Sequence, residues 1–470
     1  MIKRLLVILT CLALSLGACT QDSPGPAGLV IVNARVVDGS GGRSRDVSVR
    51  VVDDRITEVG SFEPLPNDTV IDAGGLVLAP GFIDTHSHHG GRMFEMPGML
   101  AAVSQGITTI ISGPDGGQNH PLSDLFAQLE TSPVAANVAA YAGHATIRSQ
   151  VLGDDYQRHA TADELAEMAS MVASDMQAGA LGLASGLEYD PGSFSSTEEL
   201  IELARVAAAH GGNYTSHIRS EDQYFWEAMD ELIRIGREAE IPVRVTHVKL
   251  AMARWWDQAD RLIELMNDTR DSGIDLTADI YPYSAWETGF LWFRTLFPER
   301  DLDRREGADF ILDEMVSADR ILLPDYQPDP GYQGMTVAEI AKLTESDTKT
   351  TFMDLLKKEA AIEEGQPTSS VLAFAMDEPD IEKIMAWPHT VIGSDGELAG
   401  SHPRGYGAFT RFLGHYIRDR QVVSLEEGVR KITSQSAEMV GISNRGLIQA
   451  CLLYSSDAAD EECVGGGGGG

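Results

Sequence analysis

The sequence predicts an α/β protein: a (β/α)8 TIM barrel with a small β-sandwich-like domain, exported with an N-terminal signal. Three observations predict this fold. From residue 76 onward, short apolar segments alternate with helical segments, which is typical of a parallel sheet. The chain of 470 residues is long enough for a barrel and a smaller companion domain. Histidines end several of the predicted strands, where barrels carry their functional residues.

Residues 1–18 have the pattern of an export signal. Lys3 and Arg4 precede an apolar run that is too short to span a membrane as a permanent helix. The run ends in Leu-Gly-Ala-Cys19, which resembles the lipobox of bacterial lipoproteins and implies cleavage before Cys19 and acylation of its thiol. A plain signal peptide is the alternative. The lipoprotein interpretation places the protein in the bacterial cell envelope, periplasm-facing or on the outer membrane, and makes the lipid its only membrane anchor.

Charge and cysteine content exclude some partners and ligands. Acidic residues number 71 against 36 basic ones, and the formal net charge of −35 repels nucleic acid phosphates, so nucleic acid is not an expected partner. Two of the four cysteines lie in the first 19 residues, and the other two are Cys451 and Cys463. The barrel is therefore expected to have no disulfide and no thiolate metal ligand.

The segments after the signal predict the domain order. Residues 19–28, rich in Pro, Gly and Ser, predict a tether. Residues 29–75 predict the N-terminal part of the small β-domain, because short alternating runs are separated by turns. Residues 76–445 predict the barrel. Its helices begin with capping-box patterns, a serine or threonine followed three residues later by glutamate, at Thr161, Ser196 and Ser424.

Residues 446–470 form an atypical tail that ends in six glycines, which cannot pack a core. Two explanations are open. The tail is either a natural flexible end or the product of a changed reading frame or an artificial join, and we favour the second.

His86 and His88 follow an apolar strand as a His-x-His pair. Residues two apart on a strand point to the same face, so both imidazoles can reach one metal ion. His217 and His247 end two later predicted strands. Isolated histidines are usually structural, but their position at successive strand ends favours a metal site.

Carboxylates follow two other predicted strands. Asp115 lies in a Gly-rich turn, where it is either a metal ligand or an ordinary turn aspartate. Asp395 lies where a late strand opens into its loop, and a carboxylate there can bind metal and accept a proton from water. Lys249 and Arg404 are the cations available to hold a substrate carboxylate, and nearby tyrosines can add hydrogen bonds.

These motifs, in this order, resemble the amidohydrolase superfamily and, more narrowly, the N-acyl-D-amino-acid deacylases (D-aminoacylases). The resemblance spans roughly residues 29–448 and rests on HSHH, GLEYDPG, SHIRSE, THVK, DIYPY, GSDG and HPRGYG. It implies a metal position at His86 and His88 and a tighter zinc position at His217 and His247. It implies that Asp395 is the catalytic aspartate. It also implies substrate-binding roles for a set of four residues: Tyr189, Lys249, Tyr281 and Arg404.

The sequence departs from this family in two places. The deacylases commonly carry a cysteine zinc ligand in the Gly-rich turn, where this chain has Asp115, which leaves one or two zinc ions possible. The family also returns to the small domain through further strands after residues 445–448, and the tail replaces those strands here.

The expected activity is zinc-dependent hydrolysis of C–N amide bonds other than peptide bonds, which converts a small-molecule N-acyl-D-amino acid to a carboxylate and a free D-amino acid. A cyclic-amide hydrolase of dihydroorotase or hydantoinase type is an alternative, with Lys249 as the nearest candidate for a carboxylated lysine. A non-catalytic envelope lipoprotein is another.

Overall fold

The computed structural model describes residues 26–297, 300–363 and 365–453. The signal, Cys19, the first part of the tether, residues 19–25, and the tail from residue 454 lie outside the described residues. Within the described ranges, no helix is both long enough and apolar enough to cross a membrane.

The small domain is a five-stranded sheet near the N-terminus. Its strands are β1 (Leu29–Val36), β2 (Arg45–Val52), β3 (Arg55–Gly60), β4 (Thr69–Asp72) and β5 (Val77–Leu78). The order is β3-β2-β1-β4, and β5 also pairs with β1. Alternate residues of β1 and β2 are buried in its core, as the alternating pattern predicted.

The chain returns to this sheet at its described C-terminal end. Ile448 packs in the small core, and Leu453 forms an antiparallel bridge with Arg55. The Cys451 amide donates to the Ile56 carbonyl at 2.8 Å. Residues 448–453 therefore cover part of the β3 edge.

Two parallel sheets carry the long strand-helix alternation. A three-stranded sheet contains β6 (Phe82–Ser87), β7 (Ile107–Ser112) and β8 (Asn137–Ala140). A six-stranded sheet contains β9 (Ala142–Gly143), β10 (Gly182–Gly186), β11 (Asn213–His217), β12 (Val243–Val245), β13 (Leu276–Ile280) and β18 (Thr390–Ile392). Every neighbouring pair in both sheets is parallel.

The two sheets meet at both of their sides. Only Tyr141 separates β8 from β9 in the chain. On the other side, the Asp395 amide after β18 donates to the His86 carbonyl of β6 at 2.9 Å, and Ser87 bridges to Gly396 in parallel. The carboxyl ends of all these strands therefore face one common space.

A third unit interrupts the alternation between β13 and β18. Its four antiparallel strands are β14 (Trp286–Gly289), β15 (Ile321–Leu323), β16 (Met335–Thr336) and β17 (Ser370–Ala373). It has its own apolar core, which includes Phe290, Phe293 and Phe352. The barrel predicted over residues 76–445 includes this segment, and the sequence pattern does not distinguish it from the rest.

Most of the α-helices lie between strands in the chain, and the last three follow β18. They are α1 (Leu100–Val103), α2 (Leu122–Thr131), α3 (His144–Leu152), α4 (Ala162–Gln177), α5 (Thr197–Ala209), α6 (Phe225–Ala239), α7 (Ala259–Asp271), α8 (Trp292–Leu296), α9 (Arg305–Phe310), α10 (Val337–Leu343), α11 (Thr348–Glu359), α12 (Glu378–Ala386), α13 (Arg404–Arg411), α14 (Leu425–Lys431) and α15 (Ser434–Val440). The N-caps predicted at Thr161, Ser196 and Ser424 are confirmed, because each side chain accepts the amide of the third helical residue. The reciprocal bond of a full capping box is present at Thr161.

Candidate active site

The predicted site residues meet at the carboxyl ends of the parallel strands. His86 lies in β6 and His217 ends β11, whereas Asp115, His247 and Asp395 lie in the turns just after β7, β12 and β18. Asp115, His217, His247 and Asp395 line a cavity of about 750 Å³, and His86 is buried against Asp115 and Asp395. Because parallel strands end on one edge, residues as far apart as 86 and 395 contact each other there.

The first group of possible metal donors consists of His86, Asp115, His247 and Asp395, whose donor atoms all lie within 4.8 Å of one another. His86 Nε2 lies 3.4 Å from Asp395 Oδ1 and 3.5 Å from Asp115 Oδ2. His88 joins the same carboxylates, because its Nε2 lies 3.1 Å from each of these oxygens. The His-x-His pair therefore converges on one point, as the strand geometry predicted.

The second group consists of His217, Glu221 and His247. His217 Nδ1 lies 3.0 Å from His247 Nε2, and His247 Nδ1 lies 2.8 Å from Glu221 Oε1. His247 thus belongs to both groups. Asp115 Oδ1 lies 3.7 Å from His247 Nε2, so the Asp115 carboxylate lies between the two groups.

The donor atoms fit zinc. Nitrogen and carboxylate oxygen are zinc ligands, and two tetrahedral nitrogen ligands at about 2.1 Å from the ion lie about 3.4 Å apart. The separations between His86 Nε2 and its two carboxylates agree with that spacing. Among the described residues, buried His86 Nε2 and Asp115 Oδ1 have no hydrogen-bond partner, which is costly unless an ion satisfies them.

The backbone at two of these positions is strained. His247 has a φ of 31° and Asp395 a φ of 49°, in the left-handed region that side chains other than glycine rarely adopt. The Asp279 carboxylate accepts the His247 amide at 2.7 Å, and Asp84 accepts the amide of Ser394 at 2.8 Å. These buried carboxylates hold the two turns in place.

Asp279 also supports His86. Its Oδ1 lies 3.5 Å from His86 Nδ1, on the side of the ring that faces away from Asp115. Buried Arg244 lies 3.3 Å from Asp279 Oδ2 and balances its charge. A carboxylate behind a ligating histidine orients the ring.

The residues expected to bind substrate lie beside the donors. Arg404 Nη1 is 2.6 Å from Asp395 Oδ2. The cations of Arg404 and Lys249 lie 5.0 and 5.6 Å from the centre of the Tyr281 ring. Tyr189 OH lies 3.0 Å from His217 Nδ1. Lys249 Nζ donates to Glu221 Oε2 at 2.5 Å, so this lysine already has a carboxylate partner.

Burial and neighbouring charges shift the pKa values of the carboxyl groups in this site in opposite directions. Burial alone would raise the pKa of Asp395, but Arg404 and His247 outweigh it and hold this pKa well below its usual range. Burial and the neighbouring Glu221 raise the pKa of Glu188 to about 8. Burial and Glu188 raise the pKa of Asp222 to about 7. The pKa of Asp395 is therefore lowered and the pKa values of Glu188 and Asp222 are raised within the same site.

The structure brings together all of the predicted catalytic, metal-binding and substrate-binding residues. The predicted lipidation residue, Cys19, is outside the described residues. It adds Glu188, Glu221 and Asp279, which the sequence analysis did not assign. The positions of these three residues in the sequence could have identified them as candidates. Glu188 directly precedes Tyr189, Glu221 follows His217 by four residues, and Asp279 is the last residue but one of β13.

Asp115 offers a sharp test of the donor arrangement. If it ligates metal, Asp115→Ala should lose zinc affinity, whereas Asp115→Cys should keep zinc because a thiolate is also a zinc ligand. The parent should accept manganese or cobalt more readily than Asp115→Cys, since a carboxylate is the harder ligand. Metal content after equilibrium dialysis checks both expectations. Unchanged zinc affinity in Asp115→Ala would show that Asp115 is only a turn residue.

Comparison with known proteins gives concordant matches. The model of the amidohydrolase family matches residues 69–303. A D-aminoacylase of Alcaligenes xylosoxydans xylosoxydans is 32% identical over 92% of this chain and 87% of the relative. An N-acyl-D-glutamate deacylase of the same organism is 35% identical over 89% of this chain and 84% of that relative.

A solved structure extends the likeness to three dimensions. The N-acyl-D-glutamate deacylase from Bordetella bronchiseptica, complexed with zinc and a phosphonate inhibitor, matches with a TM-score of 0.78 and 30% identity. The match covers 91% of this chain and 89% of that one.

Proposed function

The chain belongs to the amidohydrolase family, and from this premise we propose that it is a zinc-dependent enzyme that hydrolyses N-acyl-D-amino acids. One observation carries the proposal. Two groups of possible metal donors, which share His247, lie in one cavity together with the Asp395 carboxylate and the Arg404 guanidinium. The names of these two relatives, D-aminoacylase and N-acyl-D-glutamate deacylase, indicate N-acyl-D-amino acids as their substrates, which supports the same substrate class for this chain.

The fold that we infer is a single (β/α)8 barrel. β6, β7, the interrupted β8/β9, and β10 to β13 with β18 supply eight parallel strand positions. The hydrogen bond from Asp395 to His86 and the bridge of Ser87 to Gly396 support closure between the last position and the first. The antiparallel unit β14–β17 is an insertion before the eighth strand.

Zinc would be held by His86, His88, Asp115 and Asp395 at one position and by His217, His247 and Glu221 at the other. When bound, it lowers the pKa of water and polarises the acyl oxygen. His247 and Asp115 lie where they can contribute to both positions.

Asp395 has the geometry of a general base and acid. Arg404 occupies its Oδ2, whereas Oδ1 faces His86 and His88 and the cavity. The ionised carboxylate accepts a proton from the attacking water as the carbon–oxygen bond forms. It then gives this proton to the nitrogen as the carbon–nitrogen bond breaks, which releases a carboxylate and a free D-amino acid.

Arg404 holds the substrate's α-carboxylate in this proposal, with Tyr281 beside it. Arg404→Ala should weaken transition-state binding of the acid substrate by about 2 to 5 kcal/mol, the usual cost of removing one partner of a buried charge pair. Because Arg404 also contacts Asp395, the decisive quantity is the ratio of kcat/KM for an N-acyl-D-amino acid to that for its amide.

That ratio should fall to about 1 in Arg404→Ala and stay at the parent value in Arg418→Ala, whose exposed side chain pairs with Asp419 outside the cavity. An equal loss on acid and amide substrates in Arg404→Ala would refute the carboxylate role.

The activity itself is tested with zinc-reconstituted protein and paired panels of N-acetyl-D- and N-acetyl-L-amino acids. Release of free amine from the D-series alone is the expected result. Opening of a hydantoin or dihydropyrimidine ring, with no amine release from either series, would instead support a cyclic-amide hydrolase.

The N-terminus supports export and lipid anchoring. The basic start, the apolar run and the Leu-Gly-Ala-Cys19 sequence together favour a lipoprotein of the bacterial cell envelope. Labelled palmitate should enter the parent and not Cys19→Ala. Label in both proteins, or in neither, would exclude acylation at Cys19.

A further inference from the structure

The cavity contains many more carboxylates than cations. Eight acidic side chains line it: Asp115, Glu188, Asp190, Glu221, Asp222, Glu287, Asp395 and Glu397. The lysine and arginine side chains that line it are Lys249 and Arg404. Both are paired already, with Glu221 at 2.5 Å and with Asp395 at 2.6 Å. Among the described lining residues, no further lysine or arginine remains for an acidic substrate side chain.

Two of the carboxylates flank Arg404 outside both donor groups. Glu287 of β14 is half-buried, and its Oε2 accepts the His402 amide at 3.0 Å. His402 Nδ1 in turn accepts the Arg404 amide at 3.0 Å. Glu287 therefore lies directly against the turn that presents Arg404.

Glu397 approaches the same turn from the loop after β18. Its backbone contacts Gly405, the neighbour of Arg404. A Cβ placed on Gly400 would lie 3.3 Å from Glu397 Oε2 and 3.7 Å from Glu287 Oε2, so both carboxyl groups lie close to Gly400. Glu287 and Glu397 line the same cavity as Arg404, so a substituent on a carboxylate held by Arg404 would enter a space that contains both acidic side chains.

Two tryptophan side chains line the same cavity. Trp286 directly precedes Glu287, and Trp292 lies 5.2 Å from the Tyr189 ring. Indole faces accept both the methylene groups of a lysine-like side chain and its cationic end. The combination of carboxylates with aromatic rings is complementary to a cation on an apolar stem.

We propose that the site selects N-acyl-D-amino acids with a cationic side chain over isosteric neutral ones, and that it disfavours acidic ones. The specificity-determining residues are Glu287 and Glu397. The inference rests on the proposed deacylase function, because it assumes that Arg404 holds the α-carboxylate. An acidic side chain in this position has no lysine or arginine partner among the lining residues and meets two like charges, whereas a cation offsets them.

The test compares kcat/KM within two matched pairs of substrates: N-acetyl-D-lysine against N-acetyl-D-norleucine, and N-acetyl-D-glutamine against N-acetyl-D-glutamate. The parent should prefer lysine over norleucine by about tenfold, since each partly exposed charge contact contributes up to about fivefold. It should also prefer glutamine over glutamate. The double variant Glu287→Gln with Glu397→Gln should bring the lysine preference close to 1, because glutamine retains the size and the amide contacts without the charge.

The control is the double variant Glu130→Gln with Glu264→Gln, which changes net charge equally at exposed positions outside the cavity and should keep the parent's ratios. Should the test variant fold poorly, salt gives an independent readout. The parent's lysine preference should weaken between about 50 mM and about 500 mM NaCl, because partly exposed charges are screened.

The outcomes separate the two proposals. A parent that hydrolyses glutamate better than glutamine, or a lysine preference unchanged in the test variant and in salt, overturns the specificity and leaves the deacylase function standing. No hydrolysis of any of the four substrates by the zinc-loaded parent overturns both.

Discussion

His247→Ala should lose bound zinc and catalytic activity together, with kcat/KM reduced by about 10³-fold or more. The physical reason is that His247 belongs to both donor groups, with its Nε2 3.0 Å from His217 and its Nδ1 2.8 Å from Glu221. Charge stabilisation by a metal ion contributes several kcal/mol at the transition state, and about 4 kcal/mol corresponds to 10³-fold in rate. His217→Ala, which removes a donor from the second group, should lose the zinc held there.

Metal content by mass spectrometry and kcat/KM on one N-acyl-D-amino acid measure this effect. His210→Ala is the matched control, because His210 is exposed at the end of α5 and its ring contacts the Val206 carbonyl. It should keep zinc and activity. Full zinc content with normal turnover in His247→Ala would show that the metal is held elsewhere.

Asp395→Asn should keep the fold and lose activity by about 10²-fold or more, the usual contribution of a general acid/base. Asparagine keeps an acceptor for Arg404 and fits the same space, but it cannot take the proton of the attacking water. The parent carboxylate is ionised at neutral pH because Arg404 and His247 hold its pKa well below the usual range. The loss should therefore persist across neutral pH.

Circular dichroism should be unchanged in Asp395→Asn, and the zinc position at His86, His88 and Asp115 should still fill, because the asparagine side chain keeps an oxygen donor there. Asp271→Asn, at the exposed end of α7, removes the same charge away from the cavity and should retain full activity. An Asp395→Asn enzyme within a few-fold of the parent would exclude Asp395 as the base.

Some parts of the fold could be predicted because they depend on a local pattern of residues in the sequence. The N-caps at Thr161, Ser196 and Ser424 involve contacts between residues three apart, and all three are confirmed. The antiparallel unit β14–β17 could not be predicted from the sequence. Its strands have two to four residues, and strand direction is decided by pairing between distant segments rather than by local periodicity.

The candidate site likewise has features that the sequence predicts and features that it does not. His86, His217 and the turn residues Asp115, His247 and Asp395 could be predicted, because strand-end position is visible in sequence and all strand ends of a parallel sheet meet. The sharing of His247 between two donor groups could not be predicted. It depends on the side chains of His217 and Glu221 approaching the same ring from another strand.

The sequence by itself determined the strand-helix alternation, the small N-terminal sheet and the strand-end histidines with Asp395, since each is a local pattern of apolar and polar residues. Tertiary structure alone decided that Asp279 supports His86, that Lys249 is paired with Glu221, and that Glu287 from an inserted strand flanks Arg404. The physical reason is that these contacts join segments from different parts of the chain. Their strength depends on burial and distance, which no local sequence pattern records.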